Sequence, residues 1–174
     1  CIGVLLICIL IPVSLKSVEY NEYAIRYDDL TKTIYPDLYS EGKYLLTPET
    51  KFFKFSSLVQ KLSIELPCIT SNGVDVTLNV DIQYQIAKTR VFPAFEEFGD
   101  ESNVKNYLRL MSRSSVRDTC GDYTAKDYYE NRLTIQNSLE TRLIEDVRIS
   151  NAYYNITVAV LSSFTFPTDL DNAI

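Results

Sequence analysis

The chain has 174 residues, 46% of them hydrophobic, enough to bury a sizeable core in one domain or two small ones but too few for several large ones. Its 23 acidic and 17 basic side chains leave a formal net charge of -6, which repels nucleic-acid phosphates and anionic lipid leaflets alike and argues against a nucleic-acid partner. Histidine is absent, so neither a Ser-His-Asp nor a Cys-His catalytic arrangement can be assembled, and a zinc site would have to be built from scattered cysteines and carboxylates.

Residues 1–15, CIGVLLICILIPVSL, carry no charge, and Lys16 is the first. The run reads as a membrane anchor with Ile2, Val4, Leu5, Leu6, Ile7, Ile9, Leu10 and Ile11 in lipid. It falls short of the roughly 20 residues of a helical span, and a chain opening on Cys1 in place of Met has the look of a longer one trimmed. A signal-peptide core and a buried strand are the rivals, but no small-residue cleavage site follows. Pro12 would kink such a helix or end it.

Residues 16–66 read as a small β-rich unit with strands near Tyr23–Tyr27, Lys43–Leu46 and Phe52–Phe55. Turn signals separate them at Asp28-Asp29, Tyr35-Pro36-Asp37, Glu41-Gly42 and Thr47-Pro48. The strongest pattern in the chain follows. Val74, Val76, Leu78, Val80, Ile82, Tyr84 and Ile86 alternate with polar residues, which predicts a long half-buried strand. Asn72-Gly73 in front of it suits a tight hairpin turn with positive φ, so a partner strand is expected back through Leu62, Ile64 and Leu66.

Ala87 to Gly99, with Pro93, reads as a loop whose Phe92, Phe95 and Phe98 either face a partner or membrane surface or pack under the sheet. Two helices follow. The first carries Val104, Tyr107, Leu108, Met111 and Ser115 at three- and four-residue spacing, with Asp100 or Ser102 as cap and Gly121 as stop. The second opens on the capping box Thr124-Ala125-Lys126-Asp127 and sets Tyr128, Ile135, Leu139, Leu143 and Val147 on one face. Tyr154, Ile156, Val158 and Val160 then alternate as a closing strand, so residues 67–165 form an α+β unit with helices on one side of a sheet.

Few residues suggest chemistry. The paired acids Asp28-Asp29, Glu96-Glu97 and Glu145-Asp146 fit solvated surface, and no P-loop or GxGxxG occurs; no catalytic residue, cofactor site or metal site is assigned. Cys68 and Cys120 could be bonded, although two buried thiols are the simpler expectation. Arg109, Arg113 and Arg117 form a basic stripe, either a docking surface for an acidic neighbour or an ordinary solvated face. Asn155-Ile156-Thr157 is a glycosylation sequon that would matter only in a secretory lumen, and its place in a predicted strand favours an unmodified asparagine.

Three ordered segments carry a family resemblance: Thr70-Ser71-Asn72-Gly73-Val74-Asp75-Val76 with a strand ending in Tyr84-Gln85-Ile86, the helix pair Arg113-Ser114-Ser115-Val116-Arg117 and Tyr123-Thr124 through Arg132, and the tail Phe166-Pro167-Thr168-Asp169-Leu170-Asp171-Asn172-Ala173-Ile174. Together they resemble the SPFH, Band 7 or prohibitin-homology domain of stomatins, prohibitins, flotillins and HflK/HflC. The chain departs from that pattern in Gly42 with Thr47-Pro48-Glu49 where a glycine-proline bend is usual, and in the stretch Tyr35 to Glu41, which reads as an insertion. The resemblance implies a single-pass, membrane-anchored, non-enzymatic protomer that assembles with itself or related subunits into a ring or cage, organising lipids or client proteins. It also implies a coiled-coil helix starting in residues 166–174. The alternatives it leaves are an accessory subunit of a larger membrane complex, such as a mitochondrial respiratory assembly, and a regulator of a membrane protease. The compartment stays open between the mitochondrial inner membrane and plasma or endosomal membranes.

Overall fold

A computed structural model of the chain describes residues 14–150 and 152–167. The expected anchor residues Ile2 to Ile11 and the expected coiled-coil start after Pro167 lie outside the described residues. Leu15, the last residue of the apolar run, opens strand β1 (Leu15–Val18), and among the described residues no helix is long and apolar enough to cross a membrane. The described residues divide into two compact units, the first drawn from those up to Leu58 and from Ile86–Asn103, the second from Val59–Gln85 and from the described residues after Asn103.

In the first unit β1 pairs antiparallel with β4 (Gly42–Leu45). A second sheet has the order β3-β2-β5, built from β2 (Glu22–Asp28), β3 (Thr33–Tyr39) and β5 (Thr50–Ser56). The turn at Asp28-Asp29 forms as expected: Asp28 Oδ1 accepts the backbone N–H groups of Leu30 and Thr31 at 2.9 and 3.1 Å. The turn expected at Tyr35-Pro36-Asp37 does not form, because these residues lie inside β3. The register jumps there from Ile25↔Leu38 to Arg26↔Tyr35, leaving Pro36 and Asp37 in a bulge. Proline has no ladder N–H to donate, and a bulge on an edge strand is where that loss does least harm.

The stretch expected as a loop after Ala87 is also ordered. A 3₁₀ turn (Lys88–Arg90) leads into helix α1 (Val91–Phe98), and Gly99 closes it at φ 84° with its N–H on the Phe95 carbonyl. Pro93 is the third helical residue, within the first turn, whose N–H groups have no helical acceptor in any case. Phe95 packs against Phe53 with ring centroids 4.8 Å apart and joins Ile25, Phe55, Val91 and Ala94 in the core of this unit.

The second unit is organised by the hairpin of β6 (Gln60–Ile69) and β7 (Asp75–Ile86), paired Leu62↔Ile82, Ile64↔Val80 and Leu66↔Leu78 as the alternation predicts. Val76, Leu78, Val80, Ile82, Tyr84 and Ile86 are each at most 4% exposed. At about 1.5–3 kcal/mol for a fully buried large apolar side chain, this one face is a principal stabilising element. Of the Asn72-Gly73 pair only Gly73 takes positive φ (80°); its N–H closes a turn onto the Thr70 carbonyl, and Thr70 pairs with Val74 at the hairpin base.

Helix α2 (Glu101–Gly121) starts where Asp100 Oδ1 accepts the Asn103 N–H at 2.9 Å, and it buries Val104, Leu108, Ser115, Val116 and Cys120, with Tyr107 and Met111 half-buried. The expected second helix is two. Helix α3 (Ala125–Glu130) has the full Thr124/Asp127 capping box, and α4 (Arg132–Ile149) begins after a break at Asn131, whose φ of -122° is not helical. The Asn131 side chain turns back to Asp127 Oδ1 at 3.2 Å, an example of asparagine competing with helix geometry. Arg132 fixes the new direction by donating from Nη2 to the Leu161 and Ser162 carbonyls, both at 2.9 Å. The predicted stripe is intact across the break: Tyr128, Ile135, Leu139, Leu143 and Val147 are all buried.

Strand β8 (Tyr154–Thr165) completes the sheet in the order β6-β7-β8, and α4 packs along it. Its alternation changes phase midway. Tyr154 is buried, but farther along Ala159 and Leu161 point inward while Val160 is exposed, contrary to the alternation expected through Val160.

Candidate functional site

The end of the β6–β7 hairpin is held against the connection between α2 and α3. Ser71 N–H donates to the Tyr123 carbonyl at 2.9 Å, and Ala125 N–H donates to Asn72 Oδ1 at 3.3 Å. This docking brings the last turn of α2 over β6, and there Cys68 and Cys120 are joined as a disulfide, their Cα atoms 6.5 Å apart. The simpler expectation of two buried thiols is thereby corrected. The two cysteines are 7% and 0% exposed, so the bond is part of the core of the second unit.

Beside the disulfide opens a cleft of about 830 Å³, lined by Pro67, Cys68, Ile69, Gly121 and the charged residues Arg117, Asp118, Asp122, Arg142 and Asp146. Both signs of charge are present. Arg142 Nη1 meets Asp122 Oδ2 at 2.8 Å, and Asp146 Oδ2 accepts the Ser115 hydroxyl at 2.7 Å. Sequence reasoning flagged Asp146 only as half of an acidic pair and missed Asp122 and Arg142, since their partnership spans two helices and leaves no local spacing to read.

The paired acids do not converge. Asp29 is held down to about 2 by the Lys32 hydrogen bond and then by Lys51, and the fork of Arg148 lowers Glu145. Glu96 and Glu97 are exposed on α1. Among the described residues no group of three His, Cys, Asp or Glu side chains could hold a metal ion.

Asp81, on the outer face of β7, performs a different task. Its carboxylate accepts the hydroxyls of Ser162 and Ser63, both at 2.6 Å, and meets Lys61 Nζ at 3.0 Å, so one side chain ties together all three strands. Ser162, then Ser63 and Lys61, hold its pKa down to about 2 against an ordinary 3.8. A folded-state pKa below the unfolded one means the contribution is present above pH about 4 and is lost as pH falls toward about 2. Asp81→Asn should therefore flatten the dependence of the urea midpoint on pH between these limits, and an unchanged slope would remove Asp81 as its source.

Of the expected interface residues, Arg109, Arg113 and Arg117 are all exposed along α2, and among the described residues none of the three forms an ion pair. Phe92 and Phe98 are half-buried on α1. Phe95 is 6% exposed and committed to Phe53, so it offers no surface to a partner.

Comparison with curated proteins returned no match. The family model described as SPFH domain / Band 7 family matches residues 16–174, which is all of the chain beyond its apolar start. In the second unit the hairpin is followed by the three helices α2, α3 and α4 and then by the closing strand β8. With the family model matched over residues 16–174, the chain belongs to the SPFH domain / Band 7 family.

Proposed function

We propose that the chain is a non-enzymatic, membrane-associated scaffold protomer that assembles with copies of itself or related subunits and organises lipids or client proteins. The observation that carries this reading is the family match over residues 16–174, since members of this family are typically membrane scaffolds. Physically, attachment would rest on avidity: one weak membrane contact per subunit, multiplied around an assembly, holds far longer than any one of them.

The stripe Arg109, Arg113 and Arg117 is assigned to docking an acidic neighbour, because three exposed guanidinium groups with no ion-pair partner among the described residues leave their charge free to act between subunits. Sizing of the whole protein in mild detergent should show particles of many copies. Reversing all three arginines to glutamate should shrink these particles, as should raised salt. A strictly monomeric wild-type protein would overturn the scaffold reading. Particles insensitive to the reversal would move the docking surface elsewhere, and fixed stoichiometric foreign subunits would favour an accessory role in a larger complex.

A further inference from the structure

We propose that the second unit resides on the luminal or extracellular side of a secretory-pathway membrane and carries an N-linked glycan on Asn155. Two independent features of that unit support this. The first is the Cys68–Cys120 disulfide: structural disulfides persist in oxidising compartments and are rare where thiol reductants circulate. The second is the sequon Asn155-Ile156-Thr157, the sole Asn-X-Ser/Thr in the 174 residues.

A sequon in a strand is unusable when its side chains face the core. Here Asn155 and Thr157 are both exposed, at the start of β8, and among the described residues neither side chain is engaged in a hydrogen bond. Strand β8 is also a sheet edge by its place in the order β6-β7-β8. A bulky hydrophilic chain near its start adds to what the edge needs, because a sheet edge invites pairing with other chains, and the carbonyls that Arg132 engages, those of Leu161 and Ser162, lie toward the other end of the strand. The transfer itself is a substitution at carbon. The Asn155 amide nitrogen forms a bond to the anomeric carbon of a lipid-pyrophosphate-linked oligosaccharide, the bond from that carbon to the pyrophosphate oxygen breaks, the lipid pyrophosphate leaves, and an amide proton passes to a base of the transferase.

The test is to express the whole protein in cells with an N-glycosylating secretory pathway and treat it with peptide N-glycosidase. Wild type should lose one glycan's worth of mass and leave an aspartate at position 155 in the released peptide. Asn155→Gln and Thr157→Ala should both abolish the shift, and Thr157→Ser should retain it. Cys68 and Cys120 should resist a thiol-alkylating reagent in intact cells until reductant is added. An unglycosylated wild-type chain overturns the proposal even if the disulfide is present, as does free alkylation of the two cysteines without reductant. None of these readouts depends on particle size, so this proposal and the scaffold reading fail separately.

Discussion

Reduction of the Cys68–Cys120 bond is expected to lower the stability of the second unit by about 4 kcal/mol, the value that loop-closure entropy assigns to a 52-residue separation. The effect is large because the crosslink joins the strand that opens the hairpin to the last turn of α2, with β7, α1 and most of α2 in the loop between them. Urea unfolding with and without reductant, repeated on the Cys68→Ala/Cys120→Ala double variant, would measure it. Midpoints that coincide in all four conditions would show that the unfolded chain gains nothing from release of the crosslink.

A second large effect is expected from the stripe of α4. Leu139 is fully buried, and Leu139→Ala should destabilise by roughly 2–5 kcal/mol through lost transfer energy and the cavity left behind. Ile144 sits on the same helix but is 41% exposed, and Ile144→Ala should stay within about 0.5 kcal/mol of wild type. Thermal or urea denaturation of the pair tests the rotational setting of the helix directly. Equal losses at both positions would mean that something covers the outer face, and a small loss at Leu139 would mean that the inner face is set wrongly.

Much of the second unit was legible because its signals are periodic. The two-residue period of Val76 to Ile86 and the three- and four-residue spacing from Tyr128 to Val147 each describe one buried face, and burial follows both. What escaped were places where a local rule was satisfied in an unusual way. Pro36 reads as a turn, yet a bulge on an edge strand absorbs it; Pro93 reads as a loop, yet the first turn of a helix does not need its N–H. Asn131 breaks the expected helix without either Gly or Pro to announce it, and the change of phase in β8 has no residue to mark it. The disulfide and the charged cleft were less legible still. Cys68 with Cys120, and Asp122 with Arg142, become neighbours only when the hairpin end docks on the turn after α2.

The interleaving of the two units has a consequence for the order of synthesis. Strands β1 to β5 leave the ribosome first, but Val91, Ala94 and Phe95, which complete the core around Phe53 and Phe55, come from α1 and are made only after the whole β6–β7 hairpin. A fragment cut at Leu58 therefore lacks the side chain that covers Phe53, and the amino-terminal sheet must wait, half-dressed, for a helix encoded on the far side of its neighbour.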